Sequence, residues 1–592
     1  MRHTVLICTT LLLSSRLLGP CLICADETKS DAAEKPSPVW YGTMDVGPRV
    51  FRFLIEPVKA DDGSVSHRLV SLDEGRQAFV LDRFDLTGTS LEFDLNLTRA
   101  TYAGQRTDDG NVVNGKWKQR GAEFDLQLRK LDAPPVDAPD EVWAGDLNTL
   151  LQRLTLRFRV YGTDAESESV FLDSVTQKAG GFKASRTVSG NTWTISVPML
   201  KASFTGTLSD DGKQVDGTFT QAGIPLDLTL SRTELPIPTD APAPRRPQTP
   251  AAPFPYDVED VVIENTADSV RIAGTLTIPK QAGQVPAVVM ISGSGPQDRD
   301  ESIAGHKPFL VIADHLARHG IAVLRCDDRG VGRSTGNFAS ATSEDFARDA
   351  IAAVDFLQQQ ARIDKSEIGL IGHSEGGIVA PMVAAQRPDV AFIVLLAGTG
   401  VNGEQILLSQ GQLILKAAGI TDEKTLRAQK AVQTAMVRAV LSDNDQETDD
   451  ALVARVTEEL RTALPDEDAG REELTATVRV GIARLRTPWF RFFLKHEPAP
   501  VLKQVKCPVL ALNGEKDTQV DPKLNLPAIR QVLTDAGNTD VEVVELPGLN
   551  HMFQTAVTGA PGEYAEIEET ISASALDAMT TWIRRVTKAG SE

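Results

Sequence analysis

Ser374 stands at the centre of Gly372-His373-Ser374-Glu375-Gly376, with the apolar run Ile368-Gly369-Leu370-Ile371 before it and Gly377-Ile378-Val379-Ala380 after it. A strand turning sharply into a helix through G-x-S-x-G is the setting of a serine nucleophile. Small residues let strand and helix approach, and the helix N-terminus favours the negative charge that develops during attack on an acyl carbon. A serine hydroxyl is a weak nucleophile at neutral pH, so it needs a base, and the base needs an acid to hold its tautomer. Both are expected after the serine, acid first and histidine second. Only His496 and His551 follow Ser374. His551 comes just after the apolar run Val541-Glu542-Val543-Val544, whereas His496 precedes the strand that should lead to the acid, so His551 is the expected base. For the acid, Asp517 in Asn513-Gly514-Glu515-Lys516-Asp517 is preferred over Glu515 and Asp521, because it lies a short turn beyond the glycine. The oxyanion needs two donors. One is the backbone N–H of Glu375; the other is expected from Ser292-Gly293-Ser294-Gly295, with the N–H of Ser294 favoured. A second G-x-S-x-G, Gly332 to Gly336, leads into no immediate apolar helix and reads as structural.

These side chains need a scaffold that gathers loops from distant parts of the chain. From residue 257 onward, apolar runs such as Ala287-Val288-Val289-Met290-Ile291 and Phe392-Ile393-Val394-Leu395-Leu396 alternate with helical segments. Continuous apolar strands alternating with helices predict a parallel sheet covered on both faces, with ligands at the carboxyl ends of the strands. Residues 402–500 carry helical spacing and no strand signal, and are read as a helical cap inserted into an α/β domain spanning 257–592. Upstream the period changes to two, as in Leu91-Glu92-Phe93-Asp94-Leu95, which predicts antiparallel β structure. That half repeats itself with an offset of about 100 residues: Ala100 to Gly104, Gly115 and Asp125-Leu126 recur as Ala202 to Gly206, Gly217 and Asp227-Leu228. Two β repeats are therefore expected, at 37–132 and 139–233, each the size of a small barrel or sandwich. The prolines of residues 234–256 predict a stiff linker. Residues 1–25 hold Arg2, a leucine-rich run interrupted by Arg16, and a small residue at Ala25, which reads as an export signal and predicts a periplasmic or extracellular protein. Removing that segment leaves no expected transmembrane span.

The chain of 592 residues carries 61 Lys and Arg against 81 Asp and Glu, a net charge of −20 that disfavours nucleic acid as a partner. Cys326 and Cys507 are placed at opposite edges of a parallel sheet, too far apart for a disulfide. Asp298, Asp300 and Glu301 are read as a solvated or paired loop rather than a metal site, and no cofactor or metal is expected. Glu375 is expected to pair with a loop arginine such as Arg329; the competing reading is a partner for a cationic substrate group. Trp489, Phe490, Phe492 and Phe493 either line an acyl pocket or seat the cap. Trp40 and Trp143 recur at equivalent positions, which suits a core role. What the β repeats touch is open: a glycan or another protein are the candidates.

Five strings occur in order over residues 257–592: Ser292 to Glu301, Cys326 to Gly336, Gly372 to Gly377, Asn513 to Asp517, and Leu549-Asn550-His551. Together they resemble the α/β-hydrolase superfamily, in a bacterial esterase-like branch related to the serine aminopeptidase and prolyl-oligopeptidase groups. The resemblance implies an eight-stranded sheet, a Ser-His-Asp triad and hydrolysis of small-molecule or polymer-linked esters, short acyl chains first, through an acyl-enzyme. A peptidase, aminopeptidase or thioesterase with the same triad is the alternative.

Overall fold

The computed structural model describes residues 39–587 apart from 60–64, 74–77, 96–99, 120–121, 132–138, 149–152, 163–167, 177–178, 222–223, 234–244, 281–282, 443–446 and 464–470. The expected export signal (1–25) and residues 234–244 of the expected linker lie outside the described residues. The chain divides into two compact units near residue 241. An all-β region is followed by an α/β domain.

The β unit contains two antiparallel sheets. Eight strands from Glu141–Asn148 to Ile224–Arg232 close into a barrel. The other sheet has nine strands, from Val39–Asp45 to Ala122–Leu131, and its two end strands, Ala78–Val80 and Arg83–Thr87, are consecutive in the chain. The matching element in the closed barrel is one unbroken strand, Ala179–Ser189. The first sheet is thus a similar ring with one strand broken: the Leu81 N–H still bonds to the His67 carbonyl and the Asp82 N–H to that of Asp94, both at 2.9 Å. Period-two alternation buries Leu91, Phe93 and Leu95 inside, with Trp40; Trp143 is buried in the second interior. The glycines that mark the repeat face each other across strands, Gly104 with Gly115 and Gly206 with Gly217. A Cβ on Gly115 or Gly217 would lie 2.5 or 2.4 Å from the opposite Cα, so only glycine permits the pairing.

The second unit is built on strands β1 (Tyr256–Asn265), β2 (Val270–Pro279), β3 (Val285–Ile291), β4 (Ala322–Cys326), β5 (Ile363–His373), β6 (Ile393–Leu396), β7 (Val509–Gly514) and β8 (Val541–Leu546), in the order 1-2-4-3-5-6-7-8. Strands β3 to β8 are parallel; β2 runs antiparallel to β1 and β4. Helices α1 (Pro308–Arg318), α2 (Ser343–Gln358) and α3 (Gly376–Gln386) lie between β3 and β6 in the chain; α4 (Gly403–Ala417), α5 (Glu423–Ser442), α6 (Asp449–Ala463), α7 (Arg471–Leu485), α8 (Pro488–Lys495) and α9 (Pro498–Leu502) separate β6 from β7; α10 (Pro522–Asp535) and α11 (Ala573–Val586) complete the domain. Side chains of β3 alternate between two cores: Val285, Ala287, Val289 and Ile291 pack with residues of α2, α3 and α10, and Val288 and Met290 with those of α1 and α11. Helices on both faces explain why the strands read as continuous apolar runs. The inserted helices share a core of their own, including Met436, Val456 and Ile482, which also takes in Ile378 of α3 and Val520.

Residues 245–255, whose composition reads as a stiff spacer, make specific contacts. The Arg246 guanidinium donates to the carbonyls of Ala304, Gly305, Ala565 and Ile567. The Gln248 side chain donates to the Ile571 carbonyl and accepts from the N–H groups of Thr570 and Ile571. Cys326 and Cys507 are free, and burial pushes both thiols up to about 12.

Candidate active site

The turn between β5 and α3 holds Ser374 at φ 53°, a left-handed conformation unusual for a residue with a side chain. It is pinned by the Ser374 N–H, which donates to the Leu396 carbonyl at 2.8 Å, and by the Ser374 carbonyl, which accepts from Gly377. The flanking glycines are steric requirements. A Cβ on Gly372 would lie 2.0 Å from the Gly376 carbonyl oxygen, and one on Gly376 would lie 2.2 Å from that of Ile291. The spacing G-x-S-x-G is thus the price of bringing strand and helix together around one hydroxyl.

His551 follows β8 and Asp517 follows β7, at the same sheet edge. Nδ1 of His551 and Oδ2 of Asp517 are 2.8 Å apart, and both side chains are buried. The other Asp517 oxygen accepts from the N–H groups of Gln519 and Val520, which fixes the carboxylate. The alternatives for the acid are engaged elsewhere: Asp521 caps α10 and Glu515 accepts from the Gly548 N–H. Among the described residues no hydrogen bond joins the Ser374 hydroxyl to Nε2 of His551; such contacts are often long without substrate. Ser334, in the second G-x-S-x-G, donates to the Asp327 carbonyl and accepts from the Ala273 N–H, a buried structural role.

Of the expected oxyanion donors, the N–H groups of Glu375 and Ser294 have no protein acceptor among the described residues. The neighbouring Gly293 N–H is occupied: it donates to Oε1 of Glu301 at 2.6 Å. The same oxygen lies 2.9 Å from Nδ1 of His373, whose Nε2 faces the His551 carbonyl oxygen at 3.2 Å. Nothing in the spacing of the motif singles out His373, and Glu301 stands in a loop of charged residues. In that loop Asp300 pairs with Arg325 and Lys307, Arg299 with Asp327, and Asp298 accepts from the N–H groups of Asp300 and Ser302. No cluster of metal-ligating side chains occurs among the described residues.

Glu375 does not pair with Arg329, contrary to expectation. Arg329 is held by Asp268, Asp345 and Asp349. Oε1 of Glu375 instead accepts from the Ser343 hydroxyl at 2.6 Å and from Nε1 of Trp489, on the cap helix α8, at 2.7 Å. Burial, only partly offset by these two bonds, pushes the Glu375 carboxyl up to about 7. Trp489 stacks on Phe493 at 5.3 Å and meets Phe490 edge-on, and both phenylalanines belong to the cap core. Trp489, Phe490 and Phe493 thus take part in seating the cap. Taken together the site offers a strained hydroxyl, a carboxylate-bound imidazole and two unengaged N–H groups, the parts needed for acyl transfer.

Residues 307–555 match the family model of serine aminopeptidase, S33. A protein named Esterase EstD from Thermotoga maritima is 25% identical over 332 residues, covering 56% of this chain and 68% of that one. An uncharacterized protein of Mycobacterium tuberculosis is 34% identical over 135 residues, 23% of this chain and 44% of that one. Among solved structures, an esterase of Pyrococcus furiosus aligns with a TM-score of 0.32 at 16% identity, covering 56% of this chain and 93% of that chain.

Proposed function

We propose that this protein, whose residues 307–555 match the family model of serine aminopeptidase, S33, and which is similar to a protein named an esterase, hydrolyses carboxylic esters, short acyl esters first, with Ser374 as nucleophile, His551 as base and Asp517 as its orienting acid. The observation that carries the reading is the buried Asp517–His551 pair at the sheet edge where a serine is held at positive φ, the two loops meeting where Nε2 of His373 faces the His551 carbonyl. Nδ1 faces the carboxylate, so the neutral imidazole presents its lone pair at Nε2. That nitrogen takes the Ser374 proton as the oxygen attacks the acyl carbon, and Asp517 stabilises the imidazolium. The N–H groups of Glu375 and Ser294 then donate to the oxyanion. Collapse passes the proton to the departing alkoxide and leaves an acyl-enzyme; water, deprotonated by His551, releases the acid.

The test is a fluorophosphonate probe together with p-nitrophenyl acetate. Wild type should be labelled and active; Ser374→Ala should take no label and lose at least about 10⁴-fold in kcat. An unlabelled wild type would overturn the proposal. A second reading, aminopeptidase action, is favoured by one observation: Glu375 is buried beside the nucleophile with two neutral donors as its hydrogen-bond partners, which a substrate ammonium could complement. Faster turnover of amino-acid anilides than of esters would select it. The export reading of residues 1–25 belongs to this proposal, and cell fractionation tests it. No helix among the described residues is long and apolar enough to cross a membrane.

A further inference from the structure

We infer that Glu301 and His373 form a charged strut that sets the spacing of the three loops carrying the oxyanion donor, the nucleophile and the base; the inference rests on the roles proposed for Ser374, His551 and Ser294. The geometry is specific. Oε1 of Glu301 accepts from the Gly293 N–H, one residue before Ser294, and from Nδ1 of His373, one residue before Ser374. Nε2 of His373 reaches the carbonyl of His551 itself. Three loops separated by up to 258 positions thus meet at one carboxylate and one ring.

Both ring nitrogens of His373 face oxygen acceptors. A neutral imidazole has one N–H, and would turn a lone pair toward either the carboxylate or the carbonyl. Only the imidazolium satisfies both contacts. The titratable groups facing it are Glu301, His551, whose ring centroid is 4.9 Å away, and Asp517; the ring of Phe553 completes its surroundings. Burial opposes the charge, but Glu301, the His551 carbonyl and Asp517 outweigh it and raise the His373 pKa. Packing allows little slack. A Cβ on Gly293 would lie 3.2 Å from Oε1 of Glu301, 3.3 Å from Cβ of Ser374 and 3.4 Å from Nδ1 of His373. Glu301 itself sits at φ 52°, a conformation that residues with side chains rarely adopt. His373 and Glu301 touch no reacting atom in this scheme. They are positioning residues, and their effect should fall on kcat rather than on substrate affinity.

The experiment measures kcat, KM and the rate of fluorophosphonate labelling from pH 6 to 9 for the full-length wild type, Glu301→Gln and His373→Gln. In Glu301→Gln the amide oxygen can still accept from Gly293, but the imidazolium loses its counter-charge. Its proton should leave at lower pH, and the bond to the His551 carbonyl with it. The expected result at pH 8 is a roughly 10- to 100-fold lower kcat and labelling rate, with KM within about two-fold. The alkaline limb should move to lower pH, and part of the activity should return on acidification. His373→Gln should show a similar loss without that limb. If both variants fold, keep kcat within about two-fold and retain the wild-type pH profile, the strut is overturned while the reading of Ser374 stands. Loss of the fold in both variants would assign the pair to domain stability and also overturn it. An inactive, unlabelled wild type overturns the proposed function and the strut together.

Discussion

Two carboxyl groups flank the Ser374 turn, both almost fully buried, and their surroundings differ. Glu301, on the His551 side, is 3% exposed and faces an imidazole that can carry the opposite charge. Glu375, on the cap side, is 5% exposed and its Oε1 accepts from a hydroxyl and an indole N–H. Neutral dipoles recover less of the desolvation cost of a carboxylate than a cation does. The contrast teaches that the loops of Gly293, His373 and His551 meet at a carboxylate facing an imidazole, whereas the cap is tied to the Ser374 turn by a bond whose acceptor changes protonation close to neutrality.

The sharpest way to break that contrast is Glu375→Gln. Both donors reach Oε1, which an amide oxygen can replace, so the variant mimics the protonated wild type. Unfolding returns Glu375 to an ordinary value of 4.5 from about 7 in the fold. Between these pH values the unfolded chain loses a proton that the folded chain keeps, so this group's contribution to stability is complete below pH 4.5 and is lost as pH rises through 7. A shift of this size corresponds to about 3 kcal/mol. Glu375→Gln is therefore expected to match wild type near pH 4.5 and to exceed it by up to about 3 kcal/mol at pH 8, measured by urea unfolding of both proteins across that range. Equal stabilities at pH 8 would mean that the carboxylate is compensated after all, and the two sides of the site would no longer differ.

How much of this was legible in the sequence depended on whether the partner was local. The glycines around Ser374 exclude side chains that would strike the turn's own backbone or that of Ile291, and a short motif records that constraint. The strand runs and their chain order were readable because both faces of the sheet are covered. The repeat glycines were readable as a repeat, although only the barrel shows that Gly104 faces Gly115. Partners joined by distant segments were not legible. Glu375 meets Trp489 across the cap insertion, 114 positions away, while the nearer Arg329 is claimed by three aspartates. His373 occupies a motif position that any residue can fill, and nothing in its neighbours announces Glu301. Proline content gave a spacer reading to a segment whose Arg246 and Gln248 are anchored.

That anchor sharpens the His551 side of the comparison. Arg246 bridges the carbonyls of Ala304 and Gly305, just beyond Glu301, to those of Ala565 and Ile567 in the loop after His551. Buried His306 joins the same two loops through Thr570 and the Tyr564 carbonyl. If charge holds this side together, Arg246→Ala in the full chain should cost about 2 kcal/mol by thermal or urea unfolding, in the range for hydrogen bonds to a charged group. It should lower kcat more than it raises KM. An unchanged melting temperature would return residues 245–255 to the role of spacer, and a fragment beginning at 257 would then lose nothing by omitting them.

The smallest expected effect probes the cap side alone. Trp489→Phe retains an aromatic ring to stack on Phe493 and removes only the N–H that Glu375 accepts, so at pH 6 it should cost about 1 kcal/mol, the ordinary net worth of one hydrogen bond. Above pH 7 the lost donor served a carboxylate, and bonds to charged acceptors are stronger, so the cost should grow with pH. Losing the indole donor also removes one of the two contacts that lower the Glu375 pKa, and its titration should move upward. Placed in the Glu375→Gln background, the same substitution should keep its cost at pH 6 and lose its pH dependence, because no carboxylate remains to ionise. A double-mutant cycle run at pH 6 and pH 8 measures that difference directly. A coupling that stays the same at both pH values would mean that the cap is seated by its aromatic core and that the proton on Glu375 is irrelevant to it.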